Sequence, residues 1–157
     1  MKTRKLQQHW WDWLSTAERL QRSLNEQTQA LIQRDVALIE RLQPELDAML
    51  EHMQSIDNDA ATVAKKLAED LGAEPNLRGL VAVLPQAEAQ QVTSISNRVK
   101  AAAANVAASL DKNRKLIDNE LLYVGGTLAL IAKAAQEQQS QYGSGPEQGA
   151  VLVDQVA

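Results

Sequence analysis

A chain of 157 residues with 45% hydrophobic side chains, no phenylalanine and only 3% aromatics suits thin helix-on-helix seams better than a thick globular core. A net charge of −4 and a pI near 5.2 argue against broad nucleic-acid binding, which needs a basic surface to neutralise phosphates. The absence of cysteine excludes disulfides and thiolate metal sites, and no stretch approaches the ~20 apolar residues of a membrane span. The opening MKTRKLQQHWWDWL is basic but lacks the apolar run of a signal peptide, so the expectation is a soluble, cytoplasmic, nearly all-helical protein.

Residues 4–33 read as the first helix. Leu6, Trp10, Trp13, Ala17, Leu20, Leu24, Gln27 and Leu31 alternate steps of four and three, the repeat of a coiled-coil seam. Gln27 is its one polar member, placed either at the seam edge or as a register-fixing group. Arg34-Asp35 interrupts the stripe, and Asp35 is suited to cap a new start at Val36. Pro44 is expected to open the next helix, because proline fits a first turn and breaks an interior one; a kinked continuous helix is the alternative. Leu46, Met49, Met53 and Ile56 carry the stripe to Asp57-Asn58-Asp59, either a turn or a polar step within one helix. Beyond it Val63, Leu67 and Leu71 face one way. Gly72 then serves as a C-terminal cap, with Pro75 preventing continuation.

Asn76 to Leu84 reads as one or two helical turns crossing between long arms. From Pro85 to Gln139 runs the longest periodic segment. Val92, Ile95, Val99, Ala102, Val106, Leu110, Asn113, Ile117, Leu121, Val124, Leu128, Ile131 and Ala135 keep to one stripe. At 1.5 Å per residue it would reach roughly 80 Å, so it needs partners laid along it. Gly125 and Gly126 sit inside it, each costing about 1 kcal/mol against alanine, and are read as permitting close approach or a local bend. Tyr142-Gly143-Ser144-Gly145-Pro146 ends helical structure, and the last residues, with Val151, Leu152, Val153 and Val156, form an apolar tail.

Catalytic groupings are missing. His9 and His52 each lack a glutamate three residues earlier, so the Glu-x-x-His pairs of di-iron bundles are absent. No phosphate loop or nucleophile motif is present either, and the chain is read as a non-enzyme without cofactor or metal. Trp10, Trp11 and Trp13 beside Lys2, Arg4 and Lys5 have the composition of an interfacial membrane anchor. The core reading is favoured for Trp10 and Trp13, which lie on the heptad stripe; Trp11 lies off it and is the candidate for an exposed contact. Met49 and Met53 are read as core filling.

Asn113-Arg114-Lys115-Leu116-Ile117-Asp118-Asn119-Glu120-Leu121-Leu122 within a long helix, followed about twenty residues later by Tyr142-Gly143 and a glycine-rich polar tail, resembles the FlgN family of flagellar export chaperones. In the first half, Glu26 through Leu31 to Asp35 and then Leu38, Leu42, Leu46 and Leu50 match that family's pattern of helix, Asp-started step and second helix. The resemblance covers roughly residues 10–149. It implies a cytoplasmic chaperone that binds the C-terminal helical ends of hook-filament junction proteins, prevents their premature association and delivers them to the export gate. It further implies client binding in the C-terminal part and docking of Tyr142 on the gate protein's cytoplasmic domain. The placing of the second glycine of the family's tail is a departure, since the tail here continues Gly145-Pro146-Glu147-Gln148-Gly149 and ends apolar.

An amphipathic client helix can lie in a groove anchored by apolar side chains at i, i+3, i+4 and i+7. The expected client-binding residues are Asn113, Ile117, Leu121, Val124, Leu128 and Ile131, with intramolecular core as the plain alternative. The apolar tail Val151–Val156 is expected to fill that groove when no client is present. The expected fold is all-α, an elongated antiparallel helical bundle or coiled coil with one very long C-terminal helix. Residues 1–142 are read as the chaperone domain and 143–157 as a flexible or docking tail. A structural coiled-coil adaptor without chaperone activity is the alternative function; stable membrane insertion is not expected.

Overall fold

The computed structural model describes the backbone of residues 1–127 and the side chains of residues 1–120. Four helices and no strand occur among the described residues: α1 (Arg4–Gln33), α2 (Val36–Leu71), α3 (Leu77–Val83) and α4 (Gln86–Thr127). The expected extension of the long helix to Gln139, Tyr142 and the tail all lie outside them.

The first helix has the bounds its heptads predict, and Leu6, Trp10, Trp13, Ala17, Leu20, Leu24, Gln27 and Leu31 are all buried. It ends at Arg34, whose left-handed backbone (φ 55°) lets its own N–H bond Leu31 O and that of Asp35 bond Ala30 O. The Asp35 carboxylate then accepts from the Leu38 N–H at 3.2 Å and starts α2. Two residues thus reverse the chain, and α2 runs antiparallel to α1. Gln27 bonds Gln43 near the turn, and Trp13 meets Asp57 far down the pair, so advance on α1 is matched by retreat on α2.

Pro44 does not open a helix. It lies two turns inside α2, which runs unbroken from Val36 to Leu71. Its ring removes one bond, to the Glu40 carbonyl, but Pro44 is exposed while Leu42 and Leu46 on either side are buried. The seam therefore holds both flanks of the defect. Asp57-Asn58-Asp59 likewise lies within continuous helix. Lower in α2 the buried residues are Ala60, Ala64 and Ala68, with Val63, Leu67 and Leu71 half-buried. The register brings Ala60 and Ala64 opposite Trp10 and Leu6, where small partners leave room for the indole.

Gly72 closes α2 in the left-handed region (φ 63°), bonding Glu69 O and leaving Ala73 to bond Ala68 O. The Asn76 carboxamide caps α3 by accepting from the Gly79 N–H at 2.6 Å. A Cβ at Gly79 would stand 2.6 Å from the Glu74 carbonyl oxygen, so the short crossing helix depends on a bare backbone there. Leu80 and Leu84 turn inward, and α4 starts after Pro85.

α4 returns antiparallel to α2 and hence parallel to α1. Thr3 bonds Glu88, Gln21 bonds Ser109 and Arg34 bonds Glu120, so the two helices stay in step over their shared length. α1 packs extensively on both α2 and α4, whereas those two scarcely approach one another. The heptad helix is thus the central member. Val92, Ile95, Val99 and Val106 of α4 join its core, with Ala102 and Leu110 half-buried. We call the end holding Thr3, α3 and Glu88 the basal end, and the α1–α2 turn the tip.

Candidate functional site

At the basal end the Glu88 carboxylate accepts from the Thr3 backbone N–H (2.8 Å) and hydroxyl (2.6 Å). The hydroxyl bond first, then the backbone bond, holds Glu88 below the usual carboxylate range. This clasp fixes the start of α1 against the first turn of α4, where an acidic group also meets the helix dipole favourably. A cleft of about 280 Å³ between α2 and α3, lined by Ala61, Lys65, Pro75 and Leu80 among others, opens to solvent at this end.

Midway along the bundle, Asp57 is buried among Met53, Ile56 and Ala60. Burial pushes its carboxyl up to about 6, opposed by the Trp13 indole N–H. That N–H is itself buried without a well-formed hydrogen bond.

Nearer the tip, polar groups from three helices meet. Asn113 of α4 is 2% exposed. Its amide donates to Leu24 O (3.0 Å) and to Gln27 Oε1 (2.8 Å), while its carbonyl accepts from the Thr28 hydroxyl (2.6 Å). Gln27 in turn reaches Gln43 of α2 at 3.4 Å. Asn113 and Gln27 each lie on a stripe that is otherwise apolar, so a shifted register would strand both groups in hydrocarbon. Asn113, expected as a client contact, is here an internal tie with its amide engaged.

Above this tie the packing thins. Ile117 and Leu116 are half-buried and lie outside the core cluster. Facing the same end of the bundle, Ile32 is 58% and Val36 62% exposed, with Ile39 half-buried. Arg34 of the turn bonds Glu120 at 3.1 Å. Since α1 stops at Gln33 and α2 starts at Val36, helix α4 outruns the hairpin from residue 121 onward. Its seven further residues, through Gly125 and Gly126 to Thr127, extend about 10 Å past that contact. Leu121 and Val124 fall on this overhang; Leu128, Ile131 and Tyr142 lie outside the described residues. The structure thus gathers Ile117 and the overhang at one end, and adds Ile32, Val36 and Ile39 beside them. Those three were legible only as large aliphatics off the heptad stripe close to a helix break.

Among the described residues no group of three or more His, Asp or Glu is placed to hold a metal ion, and no helix is long and apolar enough to cross a membrane. Comparison with known families matches residues 1–148 to the family described as FlgN protein. No curated protein and no solved structure matches the chain.

Proposed function

The chain belongs to the FlgN family of non-enzymatic flagellar export chaperones for hook-associated proteins, and from that premise we propose where and how it holds its client. The client is a hook-filament junction protein in the cytoplasm, captured through its helical C-terminal end. Its receiving surface is the distal part of α4 with Ile117, Leu121 and Val124, together with Leu128 and Ile131 of the same sequence stripe, which lie outside the described residues. Asn113 roots that surface in the bundle. The observation that supports this reading most is the overhang: an apolar stripe that is core between Val92 and Val106 continues past the point where α1 and α2 end. An amphipathic client helix would pack along that continuation of the stripe, in the helix-in-groove mode. Covering the apolar face of an unassembled subunit prevents its premature association, and Tyr142 would then present the complex to the export gate's cytoplasmic domain.

The adaptor alternative needs a free seam for self-association. Leu6, Leu20 and Leu24 are fully buried within one chain, so the heptads of α1 are already spent. Pull-down of junction proteins by the purified chain tests the proposal. Leu121→Asp together with Val124→Asp should weaken client capture by at least tenfold, roughly 1.4 kcal/mol, and leave the melting temperature almost unchanged. Client affinity equal to that of the parent chain would refute the site. Tyr142→Ala should retain the client and lose the gate domain. Removal of residues 150–157 should tighten client binding if the tail competes for the same surface; equal affinity would exclude that competition.

A further inference from the structure

The basal end carries a second surface, unrelated to the client reading. Residues 1–15 and 86–100, which lie side by side through Thr3–Glu88, Gln7–Gln91 and Trp11–Arg98, hold five basic side chains against two acidic ones. The rest of the chain holds eleven against eighteen. One of the two acids, Glu88, is buried and taken up by Thr3; the other is Asp12, exposed on α1. Lys2, Arg4, Lys5 and Arg98 are exposed, and none forms an ion pair among the described residues. Arg98 instead lies over the Trp11 ring, its guanidinium carbon 5.6 Å from the centroid. Trp11 is 47% and Met1 74% exposed, while Trp10 and Trp13 are buried. Around the other side, Lys65, Lys66 and Arg78 are equalled in number by the neighbouring acids Glu69, Asp70 and Glu74, so the imbalance in charge count belongs to the α1–α4 side.

We propose that this Met1–Arg4–Trp11–Arg98 face adsorbs to an anionic phospholipid surface. The basic side chains would meet lipid phosphates, and Trp11 and Met1 would enter the headgroup layer, where an indole keeps its ring in apolar surroundings and its N–H in polar ones. Adsorption is peripheral, since no described helix can span a bilayer. The acidic remainder of the molecule is repelled by the same surface. The chain therefore docks basal end first, with the tip and the α4 overhang pointing away.

Co-sedimentation of the full chain with phosphatidylglycerol/phosphatidylcholine vesicles, against phosphatidylcholine alone, tests this. Binding should be at least tenfold stronger to the anionic vesicles, since each basic group adds to attraction at a charged surface. It should fall in high salt and drop to the phosphatidylcholine level in the Lys2→Gln/Arg4→Gln/Lys5→Gln/Arg98→Gln variant. All four side chains are exposed, so the variant should keep the parent far-UV spectrum and melting temperature. Anionic vesicles should also blue-shift tryptophan emission and shield it from acrylamide, and Trp11→Phe should abolish both changes. Equal sedimentation with both vesicle types, or full anionic binding by the fourfold variant, overturns the proposal. So does tight binding of soluble poly-glutamate with no vesicle binding, which would assign the face to an acidic polypeptide.

Discussion

Two carboxylates give this bundle opposing responses to pH. Asp57 has a folded-state value of about 6 against an ordinary 3.8, so the folded state holds its proton more tightly. Its favourable contribution is complete below pH 3.8 and is lost as pH rises towards 6, above which the fold carries a buried charge. At about 1.4 kcal/mol per unit, discounted for water reaching a partly enclosed group, Asp57→Asn should stabilise the protein by about 2 kcal/mol at pH 7. Urea melts at pH 4 and pH 7 should show the parent losing that amount relative to the variant. Glu88 is shifted the other way; its contribution is present above the usual glutamate value near 4.5 and is lost on acidification. Glu88→Gln should accordingly flatten the acid side of the stability profile. Asn113→Ala leaves the Gln27 side-chain oxygen without its donor, while the Thr28 hydroxyl keeps its bond to Leu24 O, which should cost about 1–3 kcal/mol. Thermal denaturation with Asn113→Asp as a second variant would check it, since a buried charge there should be worse still.

At the scale of the element, turn chemistry governs where helices stop. Gly72→Ala meets no neighbouring atom, so its cost should be that of a left-handed backbone alone, about 1 kcal/mol. Gly79→Ala drives a methyl group into the Glu74 carbonyl and should cost more, as paired chemical-denaturation curves would reveal. The sequence made much of this legible. Heptads set α1 from Arg4 to Gln33, Asp35 and Gly72 marked the ends of α2, and the stripe from Val92 to Val106 set the buried face of α4. Pro44 misled because propensity describes an isolated helix, whereas here Leu42 and Leu46 clamp both sides of the proline. The alanine face Ala60–Ala64–Ala68 was hidden because apolar periodicity weights large side chains. Of that face, Ala60 stands opposite Trp10, where the bulk of the indole leaves room only for a small side chain.

Over the whole molecule, length mismatch decides where a client could fit. The 36 residues of α2 descend beside the 30 of α1, and α4 at 42 described residues overreaches both. No single motif announced the overhang. It follows from the register that Thr3–Glu88 sets at one end and Arg34–Glu120 displays at the other. Asn113 shows the limit of reading a stripe alone: its position on the apolar face was visible, but its use as an internal tie required the partners on α1. The central position of α1 has a kinetic corollary. Its partnership with α2 joins sequence neighbours across a two-residue reversal, whereas its partnership with α4 closes loops of about 85–89 residues. Local pairings form faster than distant ones, so the α1–α2 hairpin should be the folding nucleus and α4 the late arrival. Leu20→Ala and Leu46→Ala should then slow refolding, while Val92→Ala and Val99→Ala should chiefly speed unfolding. On a ribosome the same order means that the hairpin waits, half of α1 uncovered, until the last long helix has been synthesised.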